Sequence, residues 1–312
     1  MFNIVEKRGW FYLLSGLIII PGLIAMIYSM VIFGAPMRLG IDFTSGTFWE
    51  LRFANPVLPA DVHAAIATAD VGEGVVQSVG DGKTIVIRLK PISNEAKIVL
   101  RKALEDKFGA ATEMQFRSVG PTIGREVTQA ATVAVIAAAI AILGFIIVAF
   151  RRVPHPLRFG LCAVVAMIHD ILVTMGLFSI AGLVLGWEVD ALFLTALLTV
   201  IGFSVQDTIV VFDRIRENTP KRRGEPFETI VNRSLLETIH RSLATQLNAV
   251  FVMVALLFFG GATIKQFIAI MLIGMISGSY SSLFNAVPLL VTWEQGDIRK
   301  WWMRVRGGQA AA

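Results

Sequence analysis

Six apolar runs, each long enough to cross a bilayer, leave this chain few folds to choose from. They are Trp10–Phe33, Val127–Phe150, Phe159–Leu185, Ala191–Phe212, Leu243–Phe259 and Phe267–Trp293. About 17–25 apolar residues in a helix span the ~30 Å hydrocarbon core, where only helices and closed barrels satisfy their own backbone. Runs of this length predict an α-helical polytopic membrane protein with six transmembrane helices. Composition agrees: of 312 residues 55% are hydrophobic and only 16% charged, against about 25% charged in a soluble domain. The first run exceeds the roughly 7–15-residue core of a secretory signal, so it is read as a retained helix. Pro21-Gly22 is its candidate kink, and Trp10, Phe11 and Tyr12 form an aromatic belt at one end.

The net charge of +5 does not point to nucleic acid, because the basic residues lie between apolar runs. One cysteine, Cys162, and four scattered histidines build neither a disulfide framework nor a metal site. Nucleotide-binding, zinc-protease and serine-hydrolase motifs are lacking in the sequence. The chain therefore reads as a non-enzyme without a cofactor, and any energy it uses must come from a gradient.

Between the first two runs the pattern changes. Residues 35–124 read as a soluble α+β domain, with strands at Thr47–Ala54, Gly74–Val79, Lys83–Lys90 and Glu113–Ser118. Helices are predicted at Pro59–Ala69 and Ser93–Phe108, with Ile98, Leu100 and Leu104 on the apolar face of the latter, and Asp81-Gly82 is a hairpin turn. The order β-α-β-β-α-β is that of a ferredoxin-like split βαβ domain. Three parts follow: residues 1–34 with the first helix, the domain at 35–124, and 125–312 with helices two to six, their loops and the tail. Segment Phe227–Ile239, before the fifth run, is amphipathic and is expected to lie at the interface.

Lys and Arg concentrate in the N-terminus, around 151–158, in 214–241 and in a tail with Arg299, Lys300, Arg304 and Arg306. The positive-inside rule then places both termini and these loops in the cytoplasm, and the 35–124 domain on the extracytoplasmic (periplasmic) side.

Polar residues inside the apolar runs carry the candidate chemistry. Asp207 lies six residues, about 9 Å, inside Asp213. A carboxylate at that depth costs about 2.5–3.5 kcal/mol on insertion scales. The plain alternative, snorkelling to the interface, suits a long Lys better than a short Asp. Thr195, Thr199, Gly202, Gln206 and Asp213 share a stripe that should face another helix, and Asp207 points about 100° away from it. In the fifth run Thr238, Arg241, Thr245 and Asn248 follow helical spacing, which makes Arg241 the expected partner of Asp207 or else a mark of the loop edge. Near mid-membrane stand His169 and Asp170, with Thr174 one turn beyond Asp170. Such groups serve proton relays or tie helices together; as neighbours about 100° apart they are not expected to face one partner. Gly274, Gly278, Ser281 and Asn285 form a small-residue face for close packing. Glu188 and Asp190 are solvated loop charges or a proton antenna.

Several stretches together resemble the SecF branch of the SecD/SecF protein-export family, within the resistance-nodulation-division (RND) superfamily. They are Gly40-Ile41-Asp42-Phe43-Thr44, Val119-Gly120-Pro121, Ile168-His169-Asp170, Asp207-Thr208 through Asn218, Val231-Asn232-Arg233-Ser234 and His240-Arg241. The resemblance implies a SecD partner, association with the SecYEG channel, a translocating preprotein as cargo, and a place in the bacterial cytoplasmic (inner) membrane. It also implies use of the proton-motive force, with protons as coupling ion. It matches Asp207 and Arg241 to proton-pathway residues, with Asp170 and Asp213 as further acids and Gln206, Thr208, His169, Thr245 and Asn248 in polar support. Three departures stand out: Ser45 before Gly46 where the family has two glycines, Gln206 where it has Asn, and Gln246, Leu247 and Asn248 in place of a Ser/Thr-rich run. A passive scaffold for SecD and half of a small-molecule or lipid exporter are the competing functions. The domain of roughly 90 residues is small for an exporter's porter region.

Overall fold

A computed structural model describes residues 3–68, 74–151, 153 and 155–296 of the chain. The expected helix end at Ala69, Arg152 and the basic tail, Arg299 to Arg306, lie outside the described residues. Two compact units emerge, one formed by Met1–Arg38 with Ala134–Ala312, the other by Leu39–Val133.

In chain order, α1 (Arg8–Phe33) is the first membrane helix and runs through Pro21 without a break. A one-turn helix α2 (Ile41–Thr44) precedes β1 (Gly46–Phe53), α3 (Pro59–Thr68), β2 (Val75–Val79), β3 (Thr84–Leu89), α4 (Asn94–Phe108) and β4 (Ala111–Val119). These elements match the sequence expectation in kind and order. The strands form one sheet, β2-β3-β1-β4, antiparallel at every pairing. Alternation along β1 puts Trp49, Leu51 and Phe53 in the core, where they meet Ile85 and Ile87 of β3, Val62 and Ile66 of α3, and Leu100 and Leu104 of α4. Ile98 departs from its expected place and is exposed, because Leu100 and Leu104 already set the buried face of α4 and Ile98 lies about 160° from Leu100 once helical turns are counted. Ser93 caps α4 by accepting from the Ala96 N–H, 3.2 Å. The Ser93 hydroxyl and then the local backbone hold the exposed Glu95 carboxyl below the usual Glu range. The indole N–H of Trp49 donates to Glu113, 3.0 Å, and Lys97 pairs with the same carboxylate, 2.9 Å.

Ser45 stands out in this unit. Its φ of 63° with ψ of 166° belongs to a region that favours glycine. The sequence departure noted above thus falls on a backbone position that suits the missing glycine.

The remaining membrane helices are α5 (Pro121–Ala149), α6 (Pro156–Leu185), α7 (Ala191–Lys221), α8 (Phe227–Phe259), α9 (Ala262–Ser281) and α10 (Val287–Glu294). A π-helical turn, Ser282–Ala286, joins the last two into one span. Among the described residues six helical segments are long and apolar enough to cross a membrane. Two expectations are corrected. Helix α7 does not stop at Phe212 but continues nine residues to Lys221, and α8 includes the Phe227–Ile239 segment without interruption. That segment is not a separate interfacial helix, because its apolar side is spent on other helices: Val231 and Leu235 are buried with Phe212 and Ile215 of α7, and Phe227 and Ile239 pack against the same cluster. Asn218 holds the two helices together beyond the apolar part, donating to Ser234 and Glu237 at 3.0 and 2.9 Å.

Lipid supplies no hydrophobic drive for helix association, so close packing of small residues must supply it. Gly22 of α1 and Gly176 of α6 touch backbone to backbone; a Cβ on Gly22 would lie 2.8 Å from the Gly176 Cα. Gly274 of α9 receives Val200 of α7, where a Cβ would fall 2.1 Å from a valine methyl.

Gly22→Leu should therefore destabilise the bundle by at least about 1–3 kcal/mol, read from unfolding in mixed detergent micelles. Gly16→Ala, whose added Cβ meets nothing within 4 Å, should be close to neutral. Ser45→Gly should raise the stability of the Leu39–Val133 unit by about 1 kcal/mol, strain relief outweighing the entropy of the added glycine; an unchanged or lowered melting temperature would count against the strain.

Candidate functional site in the membrane bundle

Two buried carboxylates organise the bundle. Asp170, on α6, is 1% exposed. Its Oδ2 accepts from the hydroxyls of Ser204 on α7, 2.5 Å, and Ser281 on α9, 2.6 Å. Its Oδ1 accepts from Ser277 on α9, 2.6 Å, and lies 3.0 Å from His169 Nδ1. An ionised carboxylate has about four lone-pair sites, so four neighbours on three helices can occupy all of them. Local sequence explains the convergence. Ser277 and Ser281 are four apart and share one face of α9. Gly278 lies between them, and a Cβ there would sit only 3.2 Å from the Ser204 Cα. The absent side chain brings α9 close enough to α7 for both serines to reach one acid.

His169 and Asp170 do not converge on a third group; the imidazole turns back onto the neighbouring carboxylate itself. Its other nitrogen, Nε2, is buried without a partner among the described residues, as is Thr174 Oγ1.

Asp207, 6% exposed, accepts from Gln246 Nε2 of α8 at 2.5 Å. The structure does not bring Arg241 to it. Arg241 is exposed, and the reason is helical phase: five residues separate it from Gln246, so the two point about 140° apart on α8. The expected polar face of α8 in fact divides in two. Thr238, Ser242 and Gln246 face the bundle and are buried, whereas Arg241, Thr245 and Asn248 face out. On α7, Thr195, Gly202 and Gln206 are likewise exposed and Thr199 is half-buried, so the stripe is not the buried face of α7. The threonine hydroxyls there bond to their own backbone, Thr195 to Ala191 O, Thr199 to Thr195 O and Thr245 to Arg241 O. Thr208 is buried and donates to Ser204 O, 3.2 Å. Asp213 is half-buried and pairs with Arg216 one turn away, 2.6 Å.

Glu188 and Asp190 both have structural partners. Glu188 pairs with Arg38, 2.9 Å, and Asp190 caps α7 by accepting from the Phe193 N–H, 2.9 Å. Sequence reasoning missed Ser204 and Ser277, and placed Ser281 only in packing. The signal was present as serines one turn apart beside Gly274 and Gly278, but nothing in the sequence pointed them at Asp170. Among the described residues no group of three His, Cys, Asp or Glu side chains could hold a metal.

Comparison with known proteins places this bundle. A family model described as protein export membrane protein SecD/SecF, C-terminal, matches residues 99–296. The chain belongs to the SecD/SecF family. It is 50% identical to the protein translocase subunit SecF of Thermobaculum terrenum, with the alignment covering 100% of both chains. It is 46% identical to that of Anaerolinea thermophila, over 97% of this chain and 98% of the relative. Among solved structures it resembles SecDF of Thermus thermophilus, described as a translocon-associated membrane protein, with a TM-score of 0.77 and 30% identity over 94% of this chain. The chain spans 39% of that SecDF chain's length. Family and helices together make it a multi-pass membrane protein of protein export.

Asp170→Ala should lower unfolding free energy by about 3–5 kcal/mol, because three buried hydroxyls and an imidazole lose their acceptor together. Ser281→Ala alone should cost about 1–3 kcal/mol. Equal, small effects in both variants, measured by unfolding in mixed micelles, would show that the cluster does not hold the helices.

Proposed function

We propose that the chain is a proton-coupled subunit of the Sec translocase, working with a SecD partner at the SecYEG channel to help draw preprotein across the cytoplasmic membrane. In this reading Asp207 is the coupling carboxylate. The observation that carries it is a buried acid whose hydrogen bond comes from a neutral donor, Gln246, while the Arg241 guanidinium, on the outward face of the same helix, is without an ion-pair partner among the described residues. An acid near a cation favours its charged form, and an acid removed from one favours its neutral form. Bringing Arg241 to Asp207 in place of Gln246 takes a turn of α8 of about 140° with a shift of about 7.5 Å along its axis. That movement would favour the charged acid and release a proton, and the reverse movement would let it bind one. A proton crossing 100 mV releases about 2.3 kcal/mol, enough to bias a helix packing with two arrangements.

The outward polar residues support a partner subunit. Gln206 and Asn248 are exposed within apolar runs, where lipid offers no hydrogen bonds, and Arg241 is exposed at the edge of one. A second six-helix half covering α7 and α8 would satisfy them, and the solved SecDF chains, more than twice this length, are consistent with SecD as that half. Basic loops favour cytoplasmic termini and put the ferredoxin-like domain on the extracytoplasmic side. A scaffold role without proton coupling is the second reading. Its support is that Asp170 and its serines form a tie between helices that needs no titration.

The test is Asp207→Asn in the complex with SecD, in vesicles with SecYEG. Complex assembly should persist, and stimulation of preprotein translocation by an imposed proton gradient should fall to the level seen without a gradient. A normal response to the gradient would leave the scaffold reading.

A further inference from the structure

Helices α1 and α6 touch at Gly22 and Gly176, and on the N-terminal side of that contact they line, with the π-helical turn and α10, an open-sided cavity of about 400 Å³ whose rim includes the exposed Val165 and Ile168. Most of its wall is apolar. Its polar lining consists of Tyr12, Ser15, His169 and Asn285, and Gly16 leaves it open on the α1 side. Ser15 and Asn285 satisfy each other, with the Asn285 amide donating to Ser15 Oγ at 2.8 Å, and the Tyr280 hydroxyl donates to the Phe11 carbonyl at 2.6 Å. His169 does not close its own account in this way. The ring is 8% exposed, Nδ1 is committed to Asp170, and Nε2 has no partner among the described residues. A buried imidazole nitrogen beside a cavity with other polar groups is a place where water is retained.

The geometry points to this cavity as a water-filled proton port, with His169 as the group that passes protons between it and Asp170. The inference rests on the proton-coupled reading above and adds a second acid and its route of access. The step balances simply. A proton from water binds Nε2, and the Nδ1 proton moves to Asp170 Oδ1. The ring is left as its other tautomer, and Asp170 is neutral. The titratable groups around the imidazole are few: Asp170 on its own helix, Tyr280 of α9 with ring centroids 6.0 Å apart, and Tyr12 of α1 on the cavity wall. The cavity lining contains no lysine, arginine or acid. Protonation reverses the His169–Asp170 bond, Oδ1 now donating to Nδ1, and leaves Ser277 accepted by a hydroxyl oxygen, a weaker acceptor than a carboxylate oxygen. Ser204 and Ser281 keep the carbonyl oxygen Oδ2, so the contact that weakens is the one between α6 and α9.

Two measurements on the full chain in its SecD complex, with Cys162→Ala as background, test the port. In the first, Gly16→Cys, which points to the cavity, and Leu17→Cys, which is exposed on the lipid-facing side of α1, are treated from both sides with a membrane-impermeant cationic thiosulfonate. Labelling of Gly16→Cys but not Leu17→Cys is expected, since only a hydrated thiol ionises and reacts. Failure of Gly16→Cys to react, or equal reaction of both, overturns a wet cavity. In the second, gradient-driven translocation is followed against the pH of the acidic compartment. His169→Phe, and Gly16→Leu which fills the cavity, should both lose the gradient-driven component and its pH dependence. A folded His169→Phe or Gly16→Leu complex with the unaltered profile overturns the inference. If that happens while Asp207→Asn is inactive, the port alone is wrong; if Asp207→Asn responds normally, both readings fall.

Discussion

A carboxylate cannot stay at bilayer depth unless its oxygens are bonded, and the bonding of Asp170 sets how closely α6, α7 and α9 approach. Ser204, Ser277 and Ser281 reach it only because Gly274 and Gly278 admit α7 to the surface of α9. The acid, the serines and the glycines are one device. Removing the glycines would withdraw the donors, and removing the acid would leave hydroxyls unsatisfied in a medium that offers no replacement. Asp207 lies one turn along α7 from Ser204, so the two buried acids share a helix wall.

The outer surface of the bundle is less complete than its interior. Gln206, Arg241 and Asn248 are exposed on α7 and α8, an arrangement that lipid penalises wherever it reaches the apolar core. The chain spans 39% of the solved SecDF chain that it resembles. By contrast the Leu39–Val133 unit is self-contained, with a core of Trp49, Leu51, Phe53 and their neighbours on one side of a four-stranded sheet.

The legible parts of this fold are those governed by local periodicity. Six apolar runs gave six helices because backbone satisfaction in lipid permits little else. Alternation in β1 and β3, and the Ser93 cap, placed the elements of the small unit to within a few residues. The misread parts are those where a helix end or a phase depends on neighbours. Helix α7 continues past Phe212, and α8 begins at Phe227, because each finds its apolar partner in the other. Ile98 was placed inward by hydrophobicity alone, while Leu100 and Leu104 decide the face.

The sequence by itself determined that Asp207 and Asp170 lie within long apolar helices, that an α+β unit follows the first of those helices, and which family the chain resembles. These rest on composition and on period, which are local properties. Which donor meets which acid was decided only by tertiary structure. Helical phase puts Gln246 rather than Arg241 beside Asp207, and turns His169 onto its neighbour. The approach of α9 through its glycines gives Asp170 its serines. A one-dimensional pattern records that polar residues share a helix, but the rotation of that helix against its neighbours selects the ones that touch.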